Sequence, residues 1–295
     1  MRVSSTWVFR VLWVVLPLVT GPALAAALDD RSGSVGPVGA VLAWGAWAGV
    51  LVAALVPSTV SLTACRVLAP AAAVATVGGV AVEAGGELGE VTALDVIALL
   101  VATAAAVVVM APRLGDQFVD GSSYGPERRF ALRVPAPVLF GPVELSWLFA
   151  VGGAVTGPLL VAGEQWVAGA AALVVGLPLA WLSWRSLHAL STRWLVFVPG
   201  GMVIHDPLSV TESVLMPRNM VAHVGPAPAG TDAYDLTRGA AGLALQVDLT
   251  DTLPISVYRP RSRTPETAAV ERLLFTPTLP AEVLDTAEER RLPVA

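Results

Sequence analysis

Lysine is missing altogether: all 18 basic residues of this 295-residue chain are arginine. With so much Ala, Val and Gly beside them, this reads as a GC-rich coding bias. Cysteine is nearly missing as well. The single Cys65 lies in an apolar run and can form neither a disulfide within the chain nor a cysteine metal cluster. Charge is scarce at 14% of residues, where soluble domains carry about 25%. A net charge of −5 provides no basic footprint for nucleic acid. His188, His205 and His223 are too scattered for a metal site. The H-E-x-x-H and G-x-S-x-G patterns are both absent. Nothing in these absences points to an enzyme, a cofactor or a metal.

What the chain has is apolar length. It is 55% hydrophobic with a mean hydropathy of +0.70. Crossing a bilayer takes about 20 largely apolar residues, and six segments qualify, near 7–28, 38–56, 60–82, 93–112, 143–162 and 165–187. The second and third come from one apolar run that is too long for a single pass. Pro57 and the hydroxyls of "VPSTVS" (56–61) mark the break. The link "GEQ" (163–165) is short enough to make the last two spans an antiparallel hairpin.

Arginine placement orients these spans. With the N-terminus inside, the inner segments hold Arg2, Arg10, Arg113, Arg128, Arg129, Arg133, Arg185 and Arg193, and Arg66 lies near enough to an inner turn to snorkel there. The outer segments hold only Arg31, among Asp29, Asp30, Glu83, Glu87, Glu90, Asp95 and Glu164. This is a positive-inside pattern, with both termini on the inner side of a bacterial cell membrane. An alternative for the first span is a cleaved signal peptide, since Arg2, Arg10 and "ALAAA" (23–27) also fit one.

Span centres free of ionisable residues weigh against a proton relay or a charged-substrate path. Gly45/Gly49 and Gly153/Gly157, each four apart, allow close helix contact, either within this bundle or in a homo-oligomer seam. Pro17, Pro70, Pro158 and Pro178 should kink their helices, which keeps open a transporter or channel accessory.

Residues 113–142 form a long inner loop anchored by Phe118, Tyr124, Phe130 and Phe140, in which "RFALRV" can add a strand. Loops this long are usually functional or disordered. Arg128 and Arg129 are candidates for membrane-lipid phosphates. The loop can instead dock on the C-terminal domain or remain a solvated linker.

From residue 191 the pattern changes. "WLVFV" (194–198), Pro199-Gly200-Gly201 and "MVI" (202–204) read as a hairpin rather than a seventh span. Five further strands are expected at 212–216, 219–224, 233–237, 242–249 and 253–258. "TPETAAVERLL" (264–274) reads as a helix with Thr264 as N-cap and Pro265 at the first position, extended or repeated by "PAEVLDTAEERR" (280–291). His205-Asp206 reads as a strand end rather than a catalytic pair.

Seven strands and a closing helix over 191–285 resemble the bacterial pleckstrin-homology-like (PH-like) domains attached to membrane proteins. The segments "GDQFVDGSSYGPERR" and "RWLVFVPGGMVIHDPLSV" resemble those of a family of polytopic membrane proteins from GC-rich bacteria, a resemblance that implies no site. A PH-like fold implies binding of lipid headgroups or peptides. Residues 191–295 hold nine Arg against twelve Asp and Glu, and the one basic cluster is Arg259, Arg261 and Arg263.

The expected architecture is an α-helical integral membrane bundle of six transmembrane helices (1–190), followed by a small β-rich PH-like domain with a C-terminal helix (191–295). The expected function is that of a non-enzymatic inner-membrane protein whose cytoplasmic domain recruits a protein partner or contacts lipid headgroups.

Overall fold

The computed structural model describes residues 4–29, 33–85, 91–258 and 266–294. Arg2, Asp30, Arg31, Glu87, Glu90, Thr264 and Pro265, all used in the sequence reading, lie outside the described residues. The chain divides into two compact units, residues 1–115 with 144–187 and residues 116–143 with 188–295.

The first unit is helical: α1 (Ser5–Asp29), α2 (Val35–Leu55), α3 (Thr59–Ala84), α4 (Ala93–Val109), α7 (Pro142–Ala162) and α8 (Trp166–Ser191), of which α7 begins and α8 ends in the second unit. Among the described residues, five helices are long and apolar enough to cross a membrane, and six when α4 is taken with the short α5 (Pro112–Asp120) that follows at a 58° bend. The "VPSTVS" break falls as expected, because Ser58 caps α3 by accepting a hydrogen bond from the Ser61 amide at 3.1 Å. The fourth segment stops earlier than expected, at Val109. Pro112 cannot continue the α4 ladder and instead opens α5.

Contacts inside this unit are largely apolar. Phe9, Trp13 and Leu16 of α1, Leu62 of α3 and Ala98, Ala102 and Ala105 of α4 are all buried. α1 and α2 run antiparallel, stitched by reciprocal bonds: the Trp13 indole donates to the Trp47 carbonyl at 2.9 Å and the Trp47 indole to the Trp13 carbonyl at 2.8 Å. Of the two glycine pairs, Gly153 and Gly157 serve internal packing. A Cβ on Gly153 would sit 2.4 Å from the Gly176 carbonyl, so α7 and α8 touch backbone to backbone. Gly45 and Gly49 have open space beside them.

The second unit is two sheets around one core. Strands β1 (Arg128–Ala131), β2 (Trp194–Val198), β3 (Gly201–His205) and β4 (Val214–Pro217) form an antiparallel meander in that order. A second sheet has the order β5-β7-β8-β6, from β5 (Val221–Pro226), β6 (Tyr234–Asp235), β7 (Leu245–Val257) and β8 (Glu266–Phe275). Helix α9 (Pro280–Glu289) contributes Val283 and Ala287 to the common core of Phe130, Phe197, Met202, Ile204 and Leu273. The Gly-Gly hairpin is as expected. Gly201 is obligatory there: its φ is +150° and a Cβ would lie 2.2 Å from the Met216 carbonyl oxygen.

Two expectations change. Of the segment read as a helix from 264, the described residues form the strand β8 from Glu266. The two expected strands at 242–249 and 253–258 are one long strand, β7, with a register shift between Asp248 and Leu253. Pairing with that strand satisfies most backbone groups of residues 266–275, outweighing a marginal local helix preference. The inner loop also supplies a strand: β1 pairs along β2, with Arg128 opposite Phe197 and Ala131 opposite Trp194.

Because β1 comes from the loop, residues 191–295 alone lack one edge of the first sheet. A fragment of 191–295 is expected to lose cooperative thermal unfolding by circular dichroism. The same fragment with 113–134 joined ahead of it should recover a sigmoidal melt.

Candidate functional site

The most constrained part of the β unit is the place where the chain leaves it for α7 and returns from α8. The outgoing strand β1 continues through Leu132 and Arg133 into the short helix α6 (Ala136–Leu139). The returning chain enters β2 at Arg193 and Trp194. Leu132 N–H donates to the Arg193 carbonyl at 3.0 Å, and Arg133 N–H donates to the Thr276 carbonyl at 2.8 Å.

Arg193 locks this crossing. It is almost wholly buried, and its Nε and Nη2 donate to the two carboxylate oxygens of Asp206 at 2.7 and 2.8 Å. Its Nη1 donates to the Arg133 carbonyl at 2.6 Å, so one guanidinium holds both ends of the α7–α8 connection. Asp206 is satisfied in turn by Ser209 Oγ at 2.8 Å and Leu208 N–H at 3.1 Å. Arg238 extends the network, donating to the carbonyls of Leu208 at 2.9 Å and Tyr258 at 2.8 Å. Such a bidentate pair tolerates burial only because its remaining donors and acceptors are also bonded.

A second buried acid secures the loop. Asp116 of α5 accepts from Ala131 N–H at 2.9 Å and Thr278 Oγ at 2.8 Å, joining α5, β1 and the turn before α9. Its other oxygen, Oδ2, is buried with no partner. Burial pushes the carboxyl up to about 6, against the lowering effect of those hydrogen bonds and of Arg128.

The residues singled out in the sequence fall in three places. Tyr124 is at the tip of the loop, 85% exposed. Arg128 and Arg129 are on β1 and are held by carboxylates. Arg128 reaches Asp120 at 2.5 Å and stacks over Phe130, while Arg129 reaches Glu127 at 3.2 Å and lies over Trp194. Arg259, Arg261 and Arg263 lie outside the described residues. Of the four aromatic anchors, Phe118 and Phe130 are buried, whereas Tyr124 and Phe140 are exposed. His205 stacks on Trp194 with Nδ1 2.9 Å from Ser213 Oγ, and burial lowers its pKa. Arg193, Asp206, Asp116 and Thr278 escaped selection as a group. In the sequence Arg193 figures only among the inner arginines and Asp206 only in the His205-Asp206 strand end.

One surface depression of about 240 Å³, lined by Asp232, Tyr234 and Arg272 among others, is largely polar, and Arg272 there is paired with Asp232 at 2.8 Å. Among the described residues no group of His, Cys, Asp and Glu could hold a metal ion. Comparison with protein-family models, curated proteins and solved structures finds no match to this chain.

Two outcomes follow from the buried acids. Arg193→Met leaves Asp206 charged and unpaired, which costs about 3–5 kcal/mol. Hydrogen exchange at β1–β3 amides of the detergent-solubilised chain should accelerate accordingly, and Arg193→Met with Asp206→Leu should restore much of the protection. For Asp116 the folded pKa lies above the ordinary value of 3.8. Its contribution to stability is therefore full below about pH 4 and is lost as pH rises through about 6. Asp116→Asn should raise the melting temperature relative to the parent at pH 7.5, by up to ~3 kcal/mol in stability, and this advantage should vanish at pH 4.

Proposed function

We propose that the protein is a multi-pass protein of the bacterial inner membrane and not an enzyme. In this reading α1–α4, α7 and α8 are six spans, and α5 lies outside them. The β unit is a cytoplasmic PH-like module that recruits or positions a protein partner or contacts lipid headgroups.

The observation that carries this reading is the splice of the α7–α8 hairpin between the paired strands β1 and β2. The chain leaves for α7 and returns from α8 through two short segments hydrogen-bonded to each other, so the apolar hairpin is an insertion between neighbouring strands of the β unit's own sheet. The PH-like assignment is supported by the four-stranded meander, the antiparallel β5-β7-β8 portion of the second sheet and the closing helix α9.

The inside placement rests on the arginine distribution. It is supported by Arg10, which donates to the Ala54 carbonyl at the C-terminal end of α2, and by Arg66 near the start of α3, whose Nη2 approaches Gly115 beyond α4. These cations gather at one end of the helical unit.

A transporter or channel accessory has less support. The hydroxyls of Thr20, Thr63 and Thr76 bond to carbonyls one turn back in their own helices instead of lining a path. The test is crosslinking and affinity purification from native membranes, comparing the full chain with one ending before β2. Partners lost on truncation are the expected result, and an unchanged partner set overturns the recruitment reading.

A further inference from the structure

The end of the β unit where the hairpin departs carries an apolar rim made by two segments distant in sequence. One is α6 and the residue after it, where Leu139 is 42% and Phe140 77% exposed. The other is the turn 238–243, ending in Leu243 at 50% exposure. The two are fastened together. Ala136 N–H donates to the Gly239 carbonyl at 3.4 Å, Gly239 lies against Pro137, and Gly242 lies against the Arg133 guanidinium, where a Cβ would be 2.9 Å from Nε. That Arg133 Nε is buried without a hydrogen-bond partner. Arg128, Arg129, Arg193 and Arg238 are all engaged by carboxylates or carbonyls.

We propose that this rim is a lipid-contact site: Leu139, Phe140 and Leu243 enter the headgroup–acyl boundary of the inner leaflet, and Arg133 meets a lipid phosphate. The inference rests on the membrane reading above and goes beyond it in naming the face and the ligand. The occupant follows from chain connectivity. Phe140 is two residues before α7 and Arg193 two residues after α8, which holds each within roughly 7 Å of a helix end. The reading above places α7 and α8 in lipid, and the rim lies at the end of the β unit that holds the first residue of α7 and the last of α8, so lipid is the occupant assigned to its apolar surface. Large apolar side chains with an arginine beside them are the composition of interfacial anchors, which bury roughly 5–10 Å into that boundary. Leu243 is the decisive residue, because it is about a hundred positions from Pro142 in sequence and reaches this end only through the fold.

The test is electron paramagnetic resonance depth measurement on the full chain in phosphatidylcholine/phosphatidylglycerol nanodiscs. Spin labels go on single cysteines in a Cys65→Ala background, at Leu243, at Leu148 on α7 and at exposed Thr250. The expected result is a ratio of oxygen to nickel-chelate collisions at Leu243 several-fold above that at Thr250. Arg133→Gln should remove most of that excess, and Arg133→Lys should retain it. A Leu243 label as open to nickel as the Thr250 label, with Leu148 in lipid, overturns this proposal alone. A Leu148 label open to nickel overturns the membrane reading beneath it. An excess unchanged by Arg133→Gln overturns the phosphate contact.

Discussion

The Arg193–Asp206 pair is the interaction on which the arrangement of the β unit depends. It sits where two chain crossings meet, and it bonds to the carbonyl of Arg133 on the outgoing strand as well as to a carboxylate on the returning hairpin. Removing two charges from water costs several kcal/mol each, which mutual attraction repays only when geometry is good and the remaining polar atoms are satisfied. Here both conditions are met, by the bidentate contact and by Ser209 and Leu208. The pair's contribution is register. Any slip of β1 against β2 would strand a buried charge.

Asp116 works differently at the neighbouring junction. It holds β1 and the turn before α9 through one oxygen and leaves the other without a partner. Burial without a bonded cation makes its charged form unfavourable, so this junction is weakest when the carboxylate is ionised. A permanent lock and a protonation-sensitive one therefore secure the same strand.

Most of the helical architecture was legible because apolar run length is a one-dimensional property. The break at "VPSTVS" and the "GEQ" link were readable for the same reason, since both are local. The Gly-Gly hairpin could be read from two short β-rich runs and the turn between them. The β8 strand was not legible. Residues 266–275 carry apolar spacing compatible with a helix, and only the unpaired edge of β7 decides the matter. Arg128 and Arg129 looked like free cations because Asp120, Glu127 and Glu282, which surround them, are partners by folding. Phe118 and Phe140 are indistinguishable as letters, yet one is core and the other exposed.

By itself, the sequence determined that a series of long apolar helices comes first, that the second and third divide at "VPSTVS", and that a β-rich segment follows them. Composition, run length and turn chemistry act over a few neighbouring residues and need no partner. Only the tertiary structure decided that the inner loop donates β1, that the α7–α8 hairpin is spliced into a sheet, and that Arg133, Phe140 and Leu243 share one end of the β unit. Those facts depend on long-range hydrogen-bond demand and on closing a buried charge pair across 13 residues of chain, neither of which leaves a periodic trace in the order of amino acids.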